Sequence, residues 1–190
     1  GVVLSGAFLA AERRLEAEDR KLEERTAERE REREERTAER QTREQYQLAL
    51  AMERDLTDRD LSGLNLAGLQ LPGRDFTKTR LRGATLTGAN LRGATLTEAT
   101  LTEAGLSWAD LTRATLLGAN LTEATLTEAT LTEATLTRAT LTEANLTEAT
   151  LFGAGLSWAD LTRADLSEAD LTRADLSEAD LTRATLFGAG

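Results

Sequence analysis

The chain has 190 residues, 29% of them charged, and its 23 Lys and Arg against 33 Asp and Glu leave a net charge of −10. With no His and no Cys, histidine general-base chemistry, thiol nucleophiles and His or Cys metal ligation are excluded. So acidic a chain repels nucleic acid unless its basic residues cluster, and 4% aromatics is too little for an ordinary mixed core of this size.

Residues 1–11, GVVLSGAFLAA, form an apolar run too short to span a bilayer alone, with Arg13 and Arg14 close behind. Two readings stay open: the cytoplasmic-side end of a membrane span whose first half precedes Gly1, or a helix start packed on another chain. The absence of Cys favours a reducing compartment, so a cytoplasmic location is expected, with membrane association through this segment as the variant.

Residues 12–54 lack Gly and Pro and consist mainly of Glu, Arg, Ala, Gln and Leu, which predicts one long α-helix of about 60 Å. ERTAER occurs at Glu24–Arg29 and again at Glu35–Arg40, an 11-residue repeat that runs nearly in phase with a straight helix. From Glu23 to Gln45 no apolar side chain exceeds Ala, so the middle reads as a solvent-crossing spacer held by Glu to Arg pairs, with a weak coiled coil as the alternative. Apolar residues return at Tyr46, Leu48, Leu50, Met52 and Leu56, where packing on the next element is expected.

Beyond this the period changes. From Leu61 to Leu186 every fifth residue is Leu except Phe76, and from Ala84 to Ala189 the residue two before each centre is Ala. A period of five matches neither 3.6 nor 2, so the chain must turn once per pentad. Four pentads then close a square coil of about 20 residues with Leu and Ala inward, and stacked coils bond along the axis at about 4.8 Å. The expected division is 1–55, a helix with an apolar start and charged middle, and 56–190, the repeat body.

The units ANLTE at Ala119, ADLSE at Ala164 and ADLTR at Ala169 resemble those of the pentapeptide-repeat family, A(D/N)LXX. The resemblance covers roughly residues 56–190 and implies a mainly β fold, a right-handed four-sided β-helix, preceded here by the long charged α-helix. The sequence departs from the family pattern where Thr precedes Leu, as in ATLTE, which leaves those outer faces neutral.

A 20-residue coil sorts the outward positions into columns. Two residues after Leu, one column holds Gly83, Glu103, Glu123, Glu143, Arg163 and Arg183, and its neighbour Gly88, Trp108, Glu128, Glu148, Glu168 and Gly188. Six glutamates thus form two adjacent ladders. Along the axis, residues 59–93 are net basic, whereas 98–148 and 160–190 are net acidic. Trp108 and Trp158 stand outward in matching GLSWADLTR segments, a placement that either marks a binding surface or covers the rim of neighbouring glycines.

Neither a phosphate-binding Gly loop nor a nucleophile beside a base is present, and no enzyme activity or cofactor is expected. The leading reading is a scaffold or protein-interaction module, tethered to a membrane or not, whose candidate surface is Trp108, Trp158, Glu103, Glu123, Glu143, Glu128, Glu148 and Glu168. Its protein partner is unidentified, and no direct nucleic-acid binding is expected. The family resemblance implies an alternative, an acidic rod that mimics duplex DNA and inhibits or protects a type II topoisomerase. There the six glutamates would stand for phosphates, diluted by Arg113, Arg138, Arg163, Arg173 and Arg183. A third reading is ice binding through Thr102, Thr122, Thr142, Thr162 and Thr182, although Asp160 and Asp180 break the paired column. Self-association through the N-terminal helix or an open C-terminal coil is also expected. TLFGAG at Thr185 stops where LSWADLTRA follows the same hexamer at Thr150, so the chain is expected to be a fragment at both ends.

Overall fold

The computed structural model describes residues 53–190 and, before them, Lys21, Arg25, Thr26, Glu28, Arg29, Arg31 and Arg33. Those seven have helical backbone and are exposed. The rest of the expected helix, the apolar run 1–11 and the packing residues Tyr46 to Met52 lie outside the described residues. The chain divides into two compact units, Gly1–Tyr46 and Gln47–Gly190. Among the described residues no helix is long and apolar enough to cross a membrane.

In the second unit the residue before each centre forms a parallel bridge to the residue 20 further on, from Asp55↔Asp75 to Asp165↔Thr185. Each wall is one bridge residue long, so the sheet exists only along the stack. The pentad 120–124 shows the bonding. Leu121 N–H donates to Thr140 O at 2.7 Å and Glu123 N–H to Thr142 O at 3.0 Å, both in the next coil, while Asn120 N–H reaches back to Ala99 O at 2.9 Å. Ala124 N–H closes the corner on Leu121 O at 3.0 Å.

That corner bond spans a four-residue turn whose third residue has positive φ, the mark of type II geometry. Gly118 and Gly153 supply that conformation without strain, at φ 63° and 64°. Elsewhere Glu, Arg, Lys, Asp and both Trp are held in it, at φ 55–62°. A left-handed L-residue costs about 1–2 kcal/mol, so these turns are imposed by the stack around them.

The fifth backbone donor, on the residue after Leu, explains the family's preference for Asp or Asn. Thr122 N–H donates to Asn120 Oδ1 at 3.0 Å, and Thr162 N–H to Asp160 Oδ1 at 2.9 Å. The same bond forms at Asp55, Asp60, Asn65, Asp75, Asn90, Asp110, Asn145, Asp165, Asp170, Asp175 and Asp180. It is an Asx turn, the local structure these side chains favour.

Leu and Ala fill the interior from Leu56 to Ala169, Phe76 taking one Leu place, with stacked neighbours 20 residues apart. Each buried Leu contributes on the order of 2 kcal/mol. In the first coil the position of the inward Ala is taken by Arg59, Leu64, Leu69 and Arg74; Arg59 is exposed, and the half-buried Leu64 and Leu69 pack against the core. Thr79 follows there as a buried polar residue, its hydroxyl donating to Leu56 O at 2.7 Å. That bond removes the penalty of burying an unpaired hydroxyl.

Candidate interaction surface

Every predicted site residue stands at the corner position two after a centre, so each rides on a left-handed turn and projects from an edge of the body. Trp108 and Trp158 are each 60% exposed, at φ 57° and 62°. Glu103, Glu123, Glu143, Glu128, Glu148 and Glu168 are all exposed.

The two glutamate ladders differ in a way that their columns alone do not reveal. In the first, Arg82 reaches Glu103 at 2.9 Å and Arg163 reaches Glu143 at 2.8 Å, leaving Glu123 between them. In the second, Glu128, Glu148 and Glu168 hold no ion pair with a basic side chain of the described residues, and the Glu168 carboxylate lies over Gly188. Of the arginines expected to dilute the ladders, Arg113 and Arg163 act by specific pairing. Arg113 binds Glu133 at 2.7 Å, and the same coil-to-coil habit joins Lys78 to Glu98, Arg80 to Asp60 and Arg92 to Asp110. These partners lie 18 to 20 residues apart in sequence. Spacing near the coil period is therefore the signal that would have found them. Being exposed, each is worth about 0–1 kcal/mol. One further cation lies over a ring, Arg173 above Phe152 at 5.7 Å.

The threonine column is not a free hydroxyl array. Thr122 Oγ1 donates to Asn120 Oδ1 at 2.7 Å and Thr142 Oγ1 to Asp160 Oδ2 at 3.0 Å. Among the described residues no group of three carboxylates is placed to hold a metal ion.

The Asx carboxylates respond to their donors. Hydrogen bonds from the Ser or Thr two residues on hold Asp55, Asp60, Asp160, Asp165, Asp170 and Asp180 below the usual carboxylate range. Asp175 receives Ser177 and Ser157 together and falls to about 2. At Asp110 burial pushes upward, but Thr112 and Arg92 outweigh it and the net shift is down. A depressed carboxylate stabilises the fold above its unfolded pKa, and that stability is lost as pH falls through the folded value. Acid below about pH 4 is therefore expected to loosen coils 160–180, rich in such Asp, before the Thr-rich stretch 121–140. Hydrogen exchange followed from pH 5 to pH 2 checks this order, and simultaneous loss of protection in both regions would refute it.

The family model for pentapeptide repeats matches in 8 copies, over residues 55–93, 79–118, 119–157 and 154–189. Among solved structures the chain is similar to the pentapeptide repeat protein Rfr23 from the cyanobacterium Cyanothece 51142, with 26% identity over 78% of this chain and 97% of that one, TM-score 0.40. It is similar to HetL, a pentapeptide repeat protein involved in heterocyst differentiation regulation from the cyanobacterium Nostoc sp. strain PCC 7120, with 30% identity over 71% and 84%, TM-score 0.31. QnrB1, a plasmid-mediated fluoroquinolone resistance protein, matches with 20% identity over 71% and 73%, TM-score 0.37. The comparison with curated proteins returns no match. The repeat matches run through nearly all of the Leu-cored stack, and the chain belongs to the pentapeptide-repeat family.

Proposed function

We propose that the repeat body is a non-enzymatic scaffold that binds a protein partner through its tryptophan-bearing edges. One observation carries this reading: Trp108 and Trp158, each 60% exposed, occupy left-handed turns where glycine would be free of strain. Neither ring fills the core, so neither is explained by packing. Tryptophan is the side chain most enriched at binding hot spots. The DNA-mimic alternative has less support, because Arg82 and Arg163 neutralise Glu103 and Glu143 and interrupt one of its two ladders.

Glycine at both places separates folding from binding. Trp108→Gly with Trp158→Gly is expected to melt no lower than the parent, since it relieves strain at two turns. Immobilised on beads and exposed to cell extract, the parent is expected to retain a protein that the double variant loses. An unchanged set of captured proteins would sink the proposal.

A further inference from the structure

Each tryptophan has a glutamate one coil further along the same column: Trp108 is followed by Glu128, and Trp158 by Glu178. Trp108 N–H donates to Thr127 O at 3.1 Å and Trp158 N–H to Ser177 O at 2.9 Å, so in both cases the glutamate follows the residue that bonds to the ring's own backbone. All four residues have the same turn geometry, φ 57° and 55° in one pair, 62° and 58° in the other. Ring and carboxylate therefore leave adjacent rungs of one edge, about 4.8 Å apart along the stack. Neither Glu128 nor Glu178 holds an ion pair with a basic side chain of the described residues. The column neighbour on the other side is Gly88 for Trp108 and Arg138 for Trp158. Arg138 does not cover its ring: among the described residues only Arg173 lies over an aromatic ring, that of Phe152.

The geometry points to two arginine-reading sites, Trp108 with Glu128 and Trp158 with Glu178, each receiving one guanidinium of an arginine-bearing segment of a partner protein. This rests on the interaction-module reading and names the partner's chemistry. A ring face attracts a cation through its quadrupole, and a carboxylate one rung away completes the match. Arginine suits the pair better than lysine, because its flat guanidinium stacks on the ring while its edge donates to carboxylate oxygens. The Arg173–Phe152 contact already joins these two groups across adjacent coils of the same body. Both sites recur in the same local sequence, Gly105 to Arg113 and Gly155 to Arg163. Their 50-residue offset is two and a half coils, which puts them on opposite edges and requires two separate segments.

A fluorescein-labelled peptide of alternating Gly and Arg, compared with one carrying neutral citrulline in place of Arg, tests this by anisotropy. The chain's 2 Trp make emission site-specific in single variants. The expected result is two sites per chain, one remaining in Trp108→Gly and one in Trp158→Gly, with citrulline peptide bound at least about tenfold more weakly. Glu128→Gln is expected to weaken the Trp108 site about five- to tenfold and leave the Trp158 site alone, and Glu178→Gln to do the reverse. Asp58→Asn, which removes an exposed carboxylate remote from both rings, is expected to change neither. Equal weakening by Asp58→Asn and Glu128→Gln, or equal binding of the two peptides, would overturn the proposal in favour of general attraction to an acidic surface. If the double glycine variant loses its captured protein but the arginine peptide does not bind the parent, the arginine sites are refuted and the interaction module stands.

Discussion

Leu131→Asp is expected to unfold the repeat body under conditions in which Thr132→Asp leaves it folded. Leu131 is 0% exposed, stacked between Leu111 and Leu151, which are equally buried. An aspartate there leaves a void where the Leu methyls were and brings a carboxyl that finds no donor among stacked Leu and Ala. The carboxyl would protonate rather than stay charged, but the combined loss is still about 5 kcal/mol or more. Domains of this kind are stable by only about 5–15 kcal/mol, so one such change removes much of the margin. Thr132 is the next residue and half-buried, with its side chain on the outer surface. Its replacement is expected to cost less than about 1 kcal/mol. Thermal melts of the two variants decide the matter, and equal losses would mean that the phase of inward and outward positions is wrong.

The second large effect has the opposite sign. Glu123, Arg138 and Glu148 sit in left-handed turns, each at φ 58°, on three different columns. Replacing each with Gly removes about 1–2 kcal/mol of backbone strain and returns about 0.5–1 kcal/mol through the greater freedom of Gly in the unfolded chain. The net gain is about 0.5–1 kcal/mol at each, and the sites are far enough apart to add to roughly 2 kcal/mol. Among the described residues none of the three holds an ion pair that the change would break. A triple variant that melts below the parent would show that these side chains contribute contacts worth more than the strain.

Much of the architecture was readable because one number organised it. A Leu at every fifth position and an Ala two before it force a turn per pentad, and the 20-residue bridge offset follows from closing four of them. The left-handed corner could also have been read, since Gly63, Gly68, Gly73, Gly83, Gly88 and Gly93 all fall two residues after a centre. What stayed hidden depends on side-chain reach. Columns alone do not decide that Arg82 takes Glu103 while Glu123 is passed over, because a long flexible side chain can turn to several rungs. The packing of Leu64 and Leu69 against the core was equally obscure, since both look like lapses from the Ala pattern. For the candidate surface, phase alone put Trp108 and Trp158 outside. The pairing of each with a glutamate needed the coil-to-coil bond from its own backbone.

The constant 20-residue offset also governs how such a chain can change in length over evolution. A gain or loss of four pentads moves everything beyond it along the axis without turning it, so every column keeps its direction. A gain or loss of one pentad keeps the Leu and Ala inward and the hydrogen bonds intact, yet it swings all later residues through a quarter turn. The core cannot detect such an event and the surface cannot ignore it. Removing residues 124–128 or any other single pentad between the two GLSWADLTR segments would bring Trp158 from the edge opposite Trp108 to an adjacent one. Selection on the relative facing of two sites would thus act on the number of repeats itself, with stability standing aside.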